Sequence, residues 1–576
     1  MNPPPAIARA FATLAAALER RPGTWQALGR ELTERHLALW QSTVGQATGA
    51  QSAVVDSAVV DSVTGHPVPA APDAELHALA ARDRRFSAPA WQSHPWFDYL
   101  RQAQLLNERW LEQAIAAAAL DPASERHARF FLRQWVDSMS PANFAPTNPE
   151  VLELAARSGG ESLARGLQRA AGDARRGALT MTDEQAFEVG RNLAVTPGAV
   201  IHRNEIVELI HYRPVGATVH ARPLVIVPPF INKYYILDLQ PGNSFVRFAL
   251  EQGFDVYILS WRNAPATLGH LRWEDYAQRG VLESIAIARE VSRSAQVNAL
   301  GFCVGGTLLS TALALAAAKG EHPAASTTLL ATMLDFSDVG DIGVYVDRDA
   351  VEACERRFDP AAEPAVMSGR DLAFTFASLR ANDLIWRFVV DHWLKGKAPE
   401  PFDLLYWNSD GTSLPGVLYA WYLRHMYFEN NLRHPGRVQL AGVPLDLRAI
   451  RSAWYLLAAE EDHIVPWRTA WLARGLLRGS RAFVLAASGH IAGVVNPASK
   501  NRRHFFAADV AVGSAARAKT AEAWLAAASR HEGSWWTHWA TWLKKRSGRR
   551  VKAPDIDADR AHPPLDRAPG RYVLER

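Results

Sequence analysis

The spacing of hydrophobic residues predicts an all-helical N-terminal part. Residues 6–44 are rich in alanine and predict a helix, while residues 79–173 carry Leu and Trp at intervals of three and four positions. Such intervals place the apolar side chains on one face of each helix, which can then pack against its neighbours. We therefore expect an α-helical N-terminal domain over residues 79–195.

A stretch of small and polar residues separates these two helical parts. It covers residues 46–74 and contains the duplicated sequence AVVDS-AVVDS at 53–62. Small polar residues without hydrophobic periodicity are typical of linkers. The sequence thus predicts a helical segment followed by a linker over residues 1–78.

After residue 195, short apolar runs alternate with amphipathic helices, which is the pattern of a mostly parallel sheet flanked by helices. The candidate strands are Leu224–Val227, Val256–Leu259, Val297–Leu300, Thr328–Thr332, Trp454–Ala458 and Phe483–Leu485. The span between the fourth and fifth strands is rich in Trp, Tyr and Phe and is too long for a simple connection. We expect an α/β catalytic domain over residues 196–576 with a cap subdomain inserted at about 335–448.

Four tryptophans near the C-terminal end of the sequence recur at helical spacing, at positions 535, 536, 539 and 542. An aromatic stripe with this period is typical of a helix face that packs on a core. We therefore expect a buried helix here rather than a ligand-binding site.

Composition excludes several classes of function. The formal net charge of +4 is small for 576 residues, which argues against a nucleic-acid partner. No apolar run approaches the roughly 20 residues that span a bilayer, and the first residues lack the basic start of a signal peptide. The two cysteines, Cys303 and Cys354, form no metal-binding cluster, and no phosphate-binding loop is present. We expect a cytoplasmic protein without a transmembrane segment, metal or organic cofactor.

The strongest signal of chemistry is the sequence GFCVGG at residues 301–306, between a candidate strand and the predicted helix Thr307–Lys319. It matches the G-x-S-x-G nucleophile elbow with cysteine in place of serine. In that motif glycines make room for a strained turn, which holds the nucleophile above the sheet edge near a helix N-terminus. By itself the motif leaves a buried structural cysteine open; in this setting it predicts Cys303 as a nucleophile.

An acid and a histidine follow the cysteine in the order that the α/β-hydrolase fold requires. One candidate strand runs into Asp462 and the next runs into His490. Both positions lie at the carboxyl ends of strands, where catalytic groups gather in open α/β sheets. The sequence therefore predicts an α/β-hydrolase fold with the triad Cys303, Asp462 and His490.

Neighbouring residues leave alternatives open for two members of this triad. Glu460 and Glu461 are alternatives to Asp462 as the carboxylate that orients the imidazole. His463 is an alternative to His490 as the base, although packing or hydrogen bonding near the site is the simpler role for it.

An oxyanion hole needs two N–H donors aimed at one point. The residue after the nucleophile, Val304, normally supplies the first, and the loop after an early strand supplies the second. That loop is Pro228–Lys233, and its prolines carry no N–H. The second donor is therefore Phe230 or Ile231, and we favour Ile231.

Longer segments resemble the polyhydroxyalkanoate synthases along nearly the whole chain. Those segments include FDYLRQAQLLNERWLEQAI at 97–115, SPANFAPTNPE at 140–150, YWNSDGTSLPGVLYAWYLRHMYFENN at 406–431, and stretches at 192–208, 228–263, 462–467, 488–497 and 568–573. The residues around the cysteine look more like the single-subunit class that acts on short-chain monomers.

This resemblance implies an acyltransferase that polymerises (R)-3-hydroxyacyl-CoA, with 3-hydroxybutyryl-CoA favoured, through a covalent cysteine thioester and with release of CoA. It places the nucleophile, acid and base on the three residues of the predicted triad. It also matches His463, Trp407 and Asp410 to residues beside the acid and in the cap.

The family also implies partners: the growing polyester chain, a second copy of the chain joined through the cap region, and the surface of a polymer granule bound by the N-terminal helices.

Two alternative functions remain. One is a cysteine-dependent thioesterase or esterase of the same fold, whose acyl enzyme is attacked by water. The other is an inactive protein that coats granules.

Overall fold

The computed structural model describes residues 3–47, 83–508 and 518–576. The predicted linker, with its duplication at 53–62, lies outside these residues. The chain divides into two compact units: a helical unit, Met1–Met181 with Arg380–Pro399, and a sheet unit, Thr182–Leu379 with Glu400–Arg576. The domain and cap limits given above stay predictions.

The helical unit confirms the helical character of the N-terminal part. Its main helices are Pro3–Glu19, Pro22–Ala47, Pro95–Ala118, Pro122–Ser138, Pro149–Arg157 and Glu161–Arg176. Five of these begin with proline, whose fixed φ and missing N–H suit the first helical position. The single helix predicted over 6–44 is in fact two helices that are separated just before Pro22, because a proline inside a helix would remove a hydrogen bond.

Residues 380–399 return from the second half of the sequence to pack in the helical unit. They form two π-helical turns, Asn382–Trp386 and Val389–Leu394. A Cβ at Gly166 would lie 1.9 Å from the carbonyl oxygen of Trp393, so this close approach requires glycine. The indole Nε1 of Trp393 also donates to Asp173 at 2.9 Å.

An eleven-stranded sheet dominates the described residues of the sheet unit. Its spatial order is Ser529–Glu532, His504–Ala507, Arg481–Ala486, Ala453–Ala459, Ala324–Leu330, Val297–Phe302, Leu224–Val227, Val256–Trp261, Val207–Tyr212, Gly198–Arg203 and Asp566–Arg567. The six predicted strands are confirmed, and they form its parallel centre. The five outer strands are antiparallel additions that the sequence reading missed.

Helices cover both faces of this sheet. They include Phe245–Glu251, Glu283–Ser292, Val304–Ala318, Trp467–Leu476, Ala521–Ala527 and Trp535–Lys544. The helix Val304–Ala318 belongs to the hydrophobic core on one face, and Trp535–Lys544 belongs to the core on the other. All four tryptophans of the predicted stripe are buried, which confirms the packing role expected for this helix.

The segment between the central strands Ala324–Leu330 and Ala453–Ala459 contributes further helices to the sheet unit. These are Arg348–Arg357, Gly369–Ser378, Asp403–Ser409, Gly416–Tyr422 and a π-helical turn at Leu423–Phe428. Among the described residues, no helix combines the length and the apolar character needed to cross a bilayer.

Candidate active site

Cys303 sits on a strained turn between the strand Val297–Phe302 and the helix Val304–Ala318. Its φ of 54° and ψ of −129° lie in a region that residues with a side chain rarely adopt. Its backbone N–H donates to the carbonyl of Leu330 at 2.9 Å, and its own carbonyl accepts from Gly306 N–H at 2.9 Å. The backbone is therefore held on both sides of the nucleophile position.

The glycines of the GFCVGG sequence make this turn possible. A Cβ at Gly301 would lie 2.4 Å from Cα of Gly306, and one at Gly305 would lie 2.4 Å from the carbonyl oxygen of Pro228. Backbone atoms cannot move away from such a clash. The strand, the turn and the 228–233 loop can therefore pack this closely only because glycine occupies these positions.

Asp462 and His490 form a buried pair beside this turn. One carboxylate oxygen of Asp462 accepts the N–H groups of Ile464 and Val465 at 2.9 and 2.8 Å. The other accepts from His490 Nδ1 at 2.7 Å, and the two side chains are 0% and 5% exposed. The carboxylate is thereby locked, and the imidazole that it orients interacts with the Cys303 side chain.

The electrostatics of this group favour a charged imidazole. Burial alone would lower the pKa of His490, but the neighbouring Asp462 and Cys303 raise that pKa well above its ordinary value. The ring of Phe302 stacks on the imidazole, with 5.6 Å between the ring centroids. An imidazolium held next to a cysteine stabilises the thiolate, which is the nucleophilic form of the side chain.

The neighbouring acids left open by the sequence have other partners. Glu460 pairs with His504 at 3.0 Å. Glu461 lies near Arg503: burial lowers the pKa of this arginine, and the charge of Glu461 partly opposes that effect. Asp462 is thus the carboxylate that accepts the imidazole hydrogen bond, and its donor is His490 rather than the adjacent His463.

The 228–233 loop is fastened to the segment that contains Trp407 and Asp410. The carbonyl of Ile231 accepts from the N–H of Thr412 at 2.8 Å. The indole Nε1 of Trp407 donates to the carbonyl of Lys233 at 2.7 Å. Asp410 accepts a hydrogen bond from the hydroxyl of Tyr235, just beyond the loop, at 2.8 Å. The two predicted cap residues therefore hold the loop from which the second oxyanion donor was expected.

Two tyrosines near the cysteine, Tyr422 buried and Tyr427 partly buried, were not singled out from the sequence. Burial raises the pKa of both Tyr422 and Tyr427, and a negative charge on the Cys303 sulfur adds to the effect. Their rings meet edge to face at 5.4 Å, and Phe336 lies 5.1 Å from Tyr427. The aromatic composition of 406–431 was visible in the sequence, but nothing in it indicated which rings face the nucleophile.

In the described part of the chain, no group of three or more His, Cys, Asp or Glu side chains is arranged to hold a metal ion.

Comparisons with known proteins agree with this geometry. The family model for the poly-beta-hydroxybutyrate polymerase N-terminus matches residues 82–249, and that for the alpha/beta hydrolase fold matches residues 222–497. The chain is 48% identical to a poly(3-hydroxyalkanoate) polymerase subunit of Cupriavidus necator, over 85% of this chain and 83% of that one. The chain belongs to the poly(3-hydroxyalkanoate) polymerase family.

A further relative and a solved structure are also similar to this chain. A poly(3-hydroxyalkanoate) polymerase of Methylorubrum extorquens is 40% identical over 85% of this chain and 80% of that protein. The solved enol-lactonase of Burkholderia xenovorans LB400 matches with a TM-score of 0.28 and 14% identity, covering 50% of this chain and 91% of that one. As a member of the polymerase family with an α/β-hydrolase domain, the chain is an acyltransferase.

Proposed function

We propose that this polymerase-family chain joins (R)-3-hydroxyacyl groups from coenzyme A thioesters into a polyester, with 3-hydroxybutyryl-CoA favoured. The observation that carries the proposal is the cysteine on a strained turn, which interacts with a buried His490 whose Nδ1 is bonded to Asp462. The polymer is inferred from the relatives in Cupriavidus necator and Methylorubrum extorquens, which are poly(3-hydroxyalkanoate) polymerases.

In the first step His490 takes the proton of Cys303, and the thiolate attacks the thioester carbonyl. The tetrahedral intermediate collapses, the bond to the CoA sulfur breaks, and the imidazolium returns its proton to the departing thiolate. One thioester has replaced another, so the acyl group on Cys303 stays activated. Asp462 holds the imidazole in the tautomer that this exchange needs.

In the second step the 3-hydroxyl of another acyl unit attacks the Cys303 thioester. His490 removes the hydroxyl proton as the new C–O bond forms, and the same proton then returns to the sulfur as the C–S bond breaks. One ester bond forms and the free thiol is restored. The sulfur is a better leaving group than an alkoxide, which favours ester formation.

The negative oxygen of each tetrahedral intermediate is assigned to the backbone N–H groups of Val304 and Ile231. Val304 is the first residue of its helix, so its N–H lies outside the helical hydrogen bonds and near the positive end of the helix dipole. The Ile231 carbonyl is already bonded to Thr412, which fixes the orientation of that part of the loop.

Polymer forms only if the 3-hydroxyl attacks the Cys303 thioester faster than water does. Phe336, Tyr422 and Tyr427 make a continuous aromatic contact next to the cysteine; Phe336 and Tyr422 are buried, and Tyr427 is partly buried. Such rings exclude water from the thioester, and the segment that carries them must move to admit the acyl group.

The test is to give the purified chain (R)-3-hydroxybutyryl-CoA, follow the release of CoA thiol, and identify the acyl product. Polymer that disappears in Cys303→Ala supports the proposal, and Cys354→Ala is the matched control that must keep full activity. Thiol release that yields only free 3-hydroxybutyrate identifies a thioesterase instead. The absence of thiol release from the wild-type chain favours an inactive granule coat.

We also propose a cytoplasmic protein that acts as a homodimer and attaches to polymer granules. Large apolar side chains exposed on helices of the helical unit support the attachment: Trp25 is 45% exposed, Trp40 47% and Trp96 43%. Trp25→Ser combined with Trp40→Ser should weaken granule binding in a sedimentation assay, with Leu167→Ser, 72% exposed, as a single-site comparison. Light scattering with size-exclusion chromatography tests the dimer.

A further inference from the structure

A cavity of about 1230 Å³ lies in the sheet unit, at the edge of the sheet opposite to Cys303. Its lining includes residues that immediately precede the central parallel strands: Arg222, Asp255 and Gln296. Cys303 follows the last residue of the strand that begins after Gln296. Because a strand rises about 3.3 Å per residue, the cavity and the cysteine are roughly 20 Å apart. We call it the distal cavity.

A buried histidine with an unused nitrogen lines the distal cavity. His211 bonds through Nε2 to Asp255 at 2.7 Å, and the two side chains are 1% and 2% exposed. The ring stacks on Tyr257, with 4.0 Å between ring centroids. In the described part of the chain, His211 Nδ1 has no hydrogen-bond partner. It can accept from a ligand hydroxyl when the ring is neutral or donate to an oxyanion when it is charged.

The cations that line the distal cavity have no carboxylate partner among the described residues, although Arg222 Nη1 donates to the carbonyl of Arg546 at 2.5 Å. Five cationic side chains contribute to the lining: Arg222, Arg293, Arg549, Lys552 and Arg560. None of these five forms an ion pair within the described residues.

The carboxylates of the lining are engaged locally instead. Glu290 pairs with His562 at 3.3 Å, while Asp559 accepts the backbone N–H groups of residues 561 and 562. Asp555 accepts the N–H of Asp557, and Asp255 holds His211. These carboxylates keep their negative charge, so the lining carries five cations against four carboxylates, and its free N–H donors are mostly those of the guanidinium groups.

We propose that the distal cavity binds a small phosphate-bearing ligand, separate from the acyl-CoA substrate, with its phosphate groups on Arg222, Arg293 and Arg549 and a second polar group on His211. Guanidinium groups match phosphate oxygens with paired hydrogen bonds, so unpaired arginines around a concave site favour this class of anion. The volume is large enough for a small molecule. The distance from Cys303 keeps such a ligand out of the reaction.

The test is isothermal titration calorimetry of the full chain with inorganic triphosphate as the probe. Arg293→Gln combined with Arg549→Gln should raise the Kd at least about tenfold. The matched control is Arg478→Gln combined with Arg502→Gln, which removes the same charge from exposed arginines outside the cavity lining and should leave the Kd within about twofold. His211→Gln, checked by its melting curve, should also weaken binding.

Three results would overturn the proposal. Equal weakening in the two double variants would mean that triphosphate binds through general charge alone. The absence of binding to the wild-type chain at about 1 mM probe would remove the site. A KM for (R)-3-hydroxybutyryl-CoA that rises only in Arg293→Gln with Arg549→Gln would assign the cavity to the substrate. The arginine variants lie on the surface, so the test stands even where His211→Gln fails to fold.

Discussion

Asp462→Asn tests the arrangement of the catalytic pair with the smallest change of shape. The oxygen of Asp462 that accepts the Ile464 and Val465 N–H groups must remain an acceptor, so it becomes the amide oxygen. The amide NH2 then faces His490 Nδ1, which must accept a hydrogen bond. The imidazole proton moves to Nε2, toward Cys303, and the ring can no longer take the thiol proton.

Two effects set the size of the loss. The tautomer is wrong, and the negative charge that helps to raise the pKa of His490 is gone. The corresponding change in a serine protease triad lowers kcat about 10⁴-fold. Since a thiol gives up its proton far more readily than a hydroxyl, we expect a smaller fall here, of about 10² to 10³ in kcat. That equals about 2.7 to 4 kcal/mol of activation free energy.

The assay has two readouts. One is the kcat for CoA release, and the other is the pH profile of Cys303 alkylation by iodoacetamide. Burial raises the pKa of the other thiol, Cys354, to about 11, so it reacts slowly near neutral pH. The variant loses the charge that helps to raise the pKa of His490, so its alkylation near neutral pH should be slower than that of the wild type.

Glu460→Gln is the matched control, because this neighbouring carboxylate pairs with His504 instead. It should keep nearly full activity and an unchanged alkylation profile. The reasoning fails if Asp462→Asn keeps more than about a tenth of the wild-type kcat, a loss of less than about 1.4 kcal/mol. It also fails if Glu460→Gln loses as much activity as Asp462→Asn.

Three further substitutions test the support around the site. Trp407→Phe removes the indole hydrogen bond to the 228–233 loop and should lower kcat about tenfold with little change in KM. Trp542→Phe is the control and should leave kcat unchanged, because its indole nitrogen has no hydrogen-bond partner in the described residues. Gly305→Ala puts a Cβ against the same loop and should cost about 1–3 kcal/mol of unfolding free energy in urea, whereas Gly475→Ala, with open space around it, should be neutral or stabilising. Trp539→Ala empties a fully buried site and should cost about 3–5 kcal/mol in the same measurement.

The central strands of the sheet, and the order of the candidate catalytic residues along the chain, could be predicted from the sequence alone. Each of the six parallel strands is a short apolar run, because both faces of a parallel sheet are covered by helices. The GFCVGG turn is equally local, since the glycines and the cysteine that it needs are adjacent. The order of Cys303, Asp462 and His490, each just past a strand, therefore led to the prediction that these side chains act together, and Asp462 and His490 are hydrogen-bonded in the structure.

Tertiary structure alone decided the edges of the sheet and the support of the site. The strand Ser529–Glu532 is exposed along its whole length, so no hydrophobic pattern marks it, and it exists through its pairing with His504–Ala507. Trp407 contacts the 228–233 loop across 174 positions of sequence. Local periodicity tells which face of an element is buried, but the choice of partner depends on contacts between distant segments, and these form only when the chain folds.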